Sequence, residues 1–315
     1  MNVLVMIPVQ EKHKMFLESK GKGCKFVYAQ QPTDGQLAQA DVIIGNPSLP
    51  QLDKAAALKW LQLNSAGAQA YCREGVLRKG VSLTNATGAY GLAISEYMLA
   101  VLLAMQKKLY AYHDNQKRHL WHDEGAVTSI AGASVLVLGL GDIGRSFAKK
   151  VKALGAFVMG VKRRRSVKPD YVDALFTMDD LEKYLPKADI VVNSLPGTDA
   201  TYHLLDKSKF SLMKRGAFFI NIGRGTSVIT DDLCDAVLCG QLAGAAVDVT
   251  DPEPLPEDHI MWQIKNIHIT PHTAGQYHLP ATLDNIIRIA GDNLERFLKN
   301  EKLVNEVDFS TGYKK

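Results

Sequence analysis

Three motifs in the second half of the chain carry residue types that together could do acid–base chemistry on a small anion. They are Asn221-Ile222-Gly223-Arg224-Gly225, Asp248-Val249-Thr250-Asp251-Pro252-Glu253-Pro254 and Thr270-Pro271-His272-Thr273-Ala274-Gly275. Each follows an apolar run that reads as a strand. In an open α/β sheet the carboxyl ends of such strands line the ligand crevice, so an arginine, a glutamate and a histidine are expected on one rim. The planar fork of an arginine can hold a carboxylate through two parallel bonds and polarise the neighbouring carbonyl. A histidine can exchange a proton with a carbonyl oxygen near neutral pH, help worth roughly 10²–10⁴-fold. A glutamate behind it would hold its tautomer and favour the imidazolium. Taken singly, Arg224 also reads as a loop salt bridge, Glu253 as a solvated turn residue among prolines and His272 as a structural turn histidine. Their delivery to successive strand ends makes all three candidate catalytic residues, with Arg224 and His272 also touching substrate.

The element that would bring a redox partner to that rim lies upstream. Val135–Leu138 is an apolar strand that runs into Gly139-Leu140-Gly141-Asp142-Ile143-Gly144, a helix follows (RSFAKKVKALG), and then a second strand, Ala156–Val161. This is G-x-G-x-x-G after a strand and opening a helix, the context that dinucleotide binding requires. Gly139 permits the tight turn, Gly141 lets the backbone approach a pyrophosphate, and Gly144 allows close helix–strand packing. The N–H groups at the helix start would hold the anion. The competing reading is a glycine-rich turn with no ligand. An NAD site calls for a carboxylate at the end of the second strand. Here Val161 is followed by Lys162, Arg163, Arg164 and Arg165. A basic cluster attracts a 2′-phosphate, so NADP(H) is expected in preference to NAD(H), against a solvated basic turn on an NAD enzyme. With a nicotinamide cofactor present, Arg224, Glu253 and His272 suit hydride transfer to a 2-keto acid.

The remaining sequence supplies the scaffold. The chain has 315 residues, which predicts two domains. Hydrophobic residues make up 46% and charged residues 22%, and basic residues exceed acidic ones by only 37 − 33 = 4, so nothing calls for nucleic acid. The N-terminal stretch has no basic segment before its apolar run and reads as a first strand rather than a signal peptide. No apolar stretch approaches the roughly 20 residues that span a bilayer. The four cysteines form no CxxC pair. A cytoplasmic protein with reduced thiols is therefore expected. Short apolar runs at Val3–Ile7, Phe26–Ala29, Val42–Gly45, Leu58–Leu63 and Val81–Leu83 alternate with helical segments, the rhythm of a parallel sheet covered on both faces. A long helix, nearly all apolar in its first half, is predicted from about Gly91 to His119. Beyond it, ASVLVLG, AFVMGV, DIVVNSL, AFFINI, GAAVDV and NIHITPH read as six buried parallel strands, and an amphipathic helix over about Ala281–Asn300 closes the pattern. His113, His119 and His122 lie close in sequence, but only His119 and His122 share helix-face spacing, and no metal site is expected.

The set GLGDIG, SLPGTDATYHLL, INIGRG, AVDVTDPEPLP and TPHTAG resembles the D-isomer-specific 2-hydroxyacid dehydrogenases, from about Leu83 to Gly275 and more weakly over both ends. The resemblance implies an α/β fold of two Rossmann-like or flavodoxin-like domains with parallel sheets. A substrate domain of residues 1–90 and 284–315 would be interrupted by a nucleotide domain of residues 91–283. It implies a homodimer through the 91–130 region, with the Trp121 arm in the interface. It places Leu195, Pro196, Thr201, Ile222, Gly223 and Gly275 with the glycine-rich turn and Lys162–Arg164 along the cofactor, and sets Asp248 against the nicotinamide carboxamide. It makes Asn64-Ser65-Ala66-Gly67 the loop whose N–H groups grip the substrate carboxylate, a segment that also reads as an ordinary strand–helix turn. The basic run resembles the NADPH-using glyoxylate/hydroxypyruvate reductase branch. A formate dehydrogenase would carry Gln at the place of Glu253. A phosphoglycerate dehydrogenase-like core without a regulatory domain and an NAD(H)-sensing co-repressor-like binding protein remain the other readings. Tyr90, beside a domain crossing, reads either as a substrate contact or as hinge packing.

Overall fold

Strands with almost no internal charge, joined by amphipathic helices, build two parallel sheets in the protein. The structure is a computed structural model, and it describes residues 1–310 and 312–314. The chain divides into two compact units, one of residues 1–90 and 277–315 and one of residues 91–276.

In the first unit β1 (Asn2–Val5), β2 (Lys25–Tyr28), β3 (Val42–Ile44), β4 (Trp60–Gln62) and β5 (Ser82–Thr84) form an all-parallel sheet in the order β2-β1-β3-β4-β5. That is the flavodoxin-like order. The helices α1 (Glu11–Lys20), α2 (Asp34–Gln39) and α3 (Leu49–Lys54) connect the strands. Three of its strands carry buried apolar residues at interior positions, Leu4, Ile43 and Leu61.

The second unit begins with α4 (Gly91–Gln106) and α5 (Leu109–Lys117). The expected single helix is broken here because Lys108 takes a left-handed conformation at φ 55°. The paired lysines are then used as anchors: Lys107 donates to the Thr128 carbonyl at 2.7 Å, and Lys108 donates to the Glu124 carbonyl. Seven parallel strands follow, β6 (Ser134–Leu138), β7 (Phe157–Lys162), β8 (Ala174–Thr177), β9 (Ile190–Asn193), β10 (Ala217–Asn221), β11 (Leu242–Val247) and β12 (Ile267–Ile269), in the order β12-β11-β10-β9-β6-β7-β8. The helices between them are α6 (Asp142–Ala153), α7 (Leu181–Tyr184), α8 (Lys207–Leu212) and α9 (Thr230–Leu238). The order reverses between β6 and β9, the switch point where dinucleotides bind in this class of sheet. Six of the seven strands coincide with the apolar runs. The exception, β8, is a four-residue edge strand, half-buried along its whole length. Such a strand gives no buried run to read.

The chain re-enters the first unit at Tyr277, not at 284. The Asn64 side-chain amide donates to the Tyr277 hydroxyl, which ties this segment to the first unit before α10 (Pro280–Leu298) begins. Helix α10 lies on α1, with Phe16 packed where Gly291 leaves no side chain. A two-stranded antiparallel hairpin, β13 (Val307–Asp308) and β14 (Tyr313–Lys314), ends the described chain. Among the described residues no helix is long and apolar enough to cross a membrane.

Candidate active site

All seven strands of the second unit are parallel, so the segments after β6, β9, β10, β11 and β12 emerge on one rim. The turn after β6 is built by glycine. Gly139 sits at φ +88°, a conformation that side chains disfavour. A Cβ on Gly144 would lie 1.9 Å from the Gly139 carbonyl oxygen, so α6 can start this close to the strand only with glycine there. Gly141 is the exposed N-cap of α6. Asp142, an acidic residue in the first turn of a helix suited to anions, has its carboxylate engaged elsewhere. It accepts from the Gly91 N–H at 2.8 Å, capping α4, and lies 3.4 Å from Arg145.

The next segments are pressed together in order along the rim. A Cβ on Gly223 would lie 2.6 Å from the Leu195 carbonyl oxygen, and one on Gly225 would lie 1.8 Å from that of Thr250. A buried amide and hydroxyl network binds the same loops. Asn193 donates to Asn221 at 3.0 Å and to Ser227 at 2.7 Å, and Ser227 donates to the Arg224 carbonyl at 2.7 Å. All three network side chains are fully buried. Arg224 emerges from this frame with one fork nitrogen on the Gly223 carbonyl at 2.7 Å and its aliphatic stem against Gly197.

Glu253 and His272 are brought together directly: Oε1 of Glu253 lies 2.6 Å from Nδ1 of His272, with both side chains about half exposed. The bond leaves Nε2 as the ring atom able to meet a substrate. His272 stands at φ 52°, a left-handed conformation rare for such a residue. It is held there by Asp248, a buried carboxylate on the neighbouring loop. The Asp248 carbonyl accepts from the His272 N–H at 2.9 Å. Its carboxylate accepts from the N–H groups of Thr273 at 2.9 Å and Ala274 at 3.1 Å, and from the Thr270 hydroxyl at 2.6 Å. A histidine locked to a carboxylate, an arginine after β10 and a glycine-built helix start on the same rim are the groups needed to bind an acid, polarise its carbonyl and move one proton.

The sequence profile of the D-isomer specific 2-hydroxyacid dehydrogenase NAD-binding domain matches residues 99–274, more than half of the chain. The chain belongs to the D-isomer specific 2-hydroxyacid dehydrogenase family. It is an oxidoreductase that passes a hydride between a nicotinamide cofactor and a small 2-keto acid, giving a D-2-hydroxy acid. It is 30% identical to a glyoxylate/hydroxypyruvate reductase A of Photorhabdus laumondii, over 85% of each chain. Its fold matches a D-isomer specific 2-hydroxyacid dehydrogenase family protein of Aeromonas salmonicida, with a TM-score of 0.88 and 31% identity over 98% of this chain and 99% of the other. It also matches the NADPH-dependent glyoxylate/hydroxypyruvate reductase of Sinorhizobium meliloti, solved with NADP and sulfate, with a TM-score of 0.84 and 25% identity over 99% of both chains.

Leu140 and Ile143 stand half-buried in the glycine turn, and Gly275 lies in the turn after His272. Leu195 and Ile222 are buried at strand ends, and Thr201 donates to the Pro196 carbonyl at 2.7 Å, folding that loop. Lys162 ends β7 and donates to Ser166 at 2.9 Å, while Arg163 and Arg164 are exposed. In the first unit Asn64, Ser65, Ala66 and Gly67 follow β4. Ser65 donates to the Gly67 carbonyl at 2.7 Å, and the Ala66 carbonyl accepts from Asn85 at 2.8 Å. Tyr90 is nearly buried and donates to the Asn64 carbonyl, and burial pushes its hydroxyl well above the usual range. Sequence reasoning missed the Asn193–Asn221–Ser227 network and the Asn64–Tyr277 bond. Two asparagines ending fully apolar strands were the available signal for the first. The second joins residues 213 positions apart and left no local trace.

Proposed function

We propose that the chain reduces a small 2-keto acid of the glyoxylate, hydroxypyruvate or pyruvate kind, with NADPH preferred, through Arg224, Glu253 and His272. The observation that carries this reading is the 2.6 Å Glu253–His272 pair on the strand-end rim that also carries Arg224. In this reading Arg224 holds the substrate carboxylate and polarises the carbonyl, as its fork geometry allows. His272 gives its Nε2 proton to the carbonyl oxygen and recovers it in the reverse direction. Glu253 holds the tautomer that makes this possible. The cradle of Gly139, Gly141 and Gly144 at the start of α6 fits a pyrophosphate. When bound there, the dinucleotide supplies the hydride. The Asn64–Gly67 loop of the first unit would hold the substrate carboxylate.

The cofactor preference rests on the exposed Lys162–Arg165 run and on the lack of a carboxylate at the end of β7. The relative from S. meliloti, named as NADPH-dependent, is similar to this chain over its full length. A homodimer is supported by apolar side chains left in water across the 91–130 segment, where Leu92, Leu109, Leu120 and Val127 are exposed and Trp121 is fully so. Sedimentation velocity should give twice the chain mass, and a monomer at micromolar concentration would overturn that part.

The deciding experiment is a panel of keto acids assayed with NADH and with NADPH, on the wild type and on His272→Ala. Turnover of a small 2-keto acid, with kcat collapsing on loss of His272 while cofactor still binds, is the expected result. Failure of every keto acid, or an active His272→Ala, would defeat the proposal.

A further inference from the structure

The turn that carries His272 is held from below by a chain of hydrogen bonds that reaches helix α4. The Tyr97 hydroxyl lies 2.7 Å from the Thr270 Oγ1. Thr270 in turn donates to Asp248 Oδ1 at 2.6 Å. A hydroxyl has a single proton, and that of Thr270 is committed to the Asp248 carboxylate. The direction of the first bond follows: Tyr97 donates and Thr270 accepts. Burial pushes the Tyr97 hydroxyl up to about 12, so it keeps its proton in the neutral range. The Asp248 carboxylate then fixes the N–H groups of Thr273 and Ala274, and its carbonyl fixes that of His272.

The left-handed backbone at His272 makes this support consequential. A non-glycine residue in that conformation is strained and persists only where its surroundings over-determine it. Three consecutive N–H groups on Asp248 do so here. The orientation of the Asp248 carboxylate is itself set by Thr270, whose rotamer the Tyr97 bond selects. Helix α4 is a firm anchor for this chain, because its first N–H is capped by Asp142 at the start of α6 and it packs along α6. One helix thus supports both the anion-binding helix start and the His272 turn.

We propose that Tyr97 and Thr270 are positioning residues for His272, acting through Asp248. The inference rests on the acid/base reading of His272. Neither residue touches a reacting atom, so removing either hydroxyl disorders the proton donor without emptying the substrate or cofactor site.

The test is a double-mutant cycle on the holoenzyme, with Tyr97→Phe, Thr270→Val and their combination, plus Thr270→Ser. Tyr97→Phe should lower kcat on the order of tenfold, with KM for keto acid and cofactor within about twofold. Thr270→Val should lower kcat at least as much, and Thr270→Ser should restore it. The combined variant should be no slower than Thr270→Val alone, because Tyr97 works only through Thr270. Wild-type kcat in Tyr97→Phe with only a lower melting temperature, or losses that multiply in the combination, would overturn the proposal. Should Tyr97→Phe not fold, equal kcat in Thr270→Val and Thr270→Ser overturns it instead. His272→Ala, run alongside, separates the two levels. If it is inactive while the cycle is flat, only the positioning inference fails; if it is active, the acid/base reading falls as well.

Discussion

Gly225→Ala is the substitution whose consequence follows most directly from the close approach of the loops on the rim. Gly225 adjoins Arg224, and its Cα faces the backbone of the loop that leads to Glu253. An added Cβ would lie 1.8 Å from the Thr250 carbonyl oxygen, 2.1 Å from its carbon and 2.8 Å from the Asp251 nitrogen. These are backbone atoms, so no side chain can rotate away. Contacts of this kind essentially never fall below 3.0 Å, so the loops must part by at least 3.0 − 1.8 = 1.2 Å. The φ of Gly225 is outside the left-handed region, so the cost is steric and not conformational. Misplacement by about 1 Å can cost on the order of 10²-fold in rate, equivalent to about 2.7 kcal/mol in the barrier. Overpacking costs about 1–3 kcal/mol in stability, which corresponds to a melting-point drop of roughly 2–12 °C for a unit of this size. Keto-acid reduction followed at saturating cofactor, with a parallel melt, gives both numbers. Gly35→Ala is the control, since its Cβ would meet nothing closer than 4.0 Å. A Gly225→Ala enzyme with kcat/KM within twofold of wild type and an unchanged melt would show that the two loops need not hold this spacing.

The remaining predictions concern the cofactor turn and the first unit. Replacing Arg163 and Arg164 by Ser should raise KM for NADPH on the order of tenfold and leave KM for NADH nearly unchanged, because only the 2′-phosphate loses partners; equal effects on both cofactors would argue against a 2′-phosphate site. Glu295 is held down to about 2 by hydrogen bonds from Lys20 first and Lys299 second. A depressed folded value means its stabilisation is present above the ordinary glutamate value of about 4.3 and is lost as pH falls toward 2. Glu295→Gln should therefore flatten that part of the acid limb of a melting curve, and the difference from wild type should shrink in high salt. An acid limb as steep as that of the wild type would remove the ion pair from the account.

What the sequence made legible was whatever repeats with a short period or sits inside a motif. The doubly buried strands declared themselves through apolar runs with almost no charge inside them, and the glycine turn through its fixed spacing. Glu253 and His272 could be nominated because each follows a strand, although nothing local says that they meet. That pairing is produced by β11 and β12 lying side by side, a fact of sheet order. What stayed hidden has the same cause. Tyr97 sits in a helix whose apolar neighbours read only as burial, and its partner lies 173 positions away. Helix α4 was expected to run to His119 because nothing in its apolar pattern signals a left-handed Lys108, which the 124–128 segment stabilises through two lysine bonds. Asp248 shows the limit most sharply. The family resemblance assigned it to the cofactor, while in the structure its carboxylate is already engaged by Thr270, Thr273 and Ala274. If it also meets a carboxamide, one residue both aims the proton donor and seats the hydride donor. Substitutions at Asp248 would then damage both functions together.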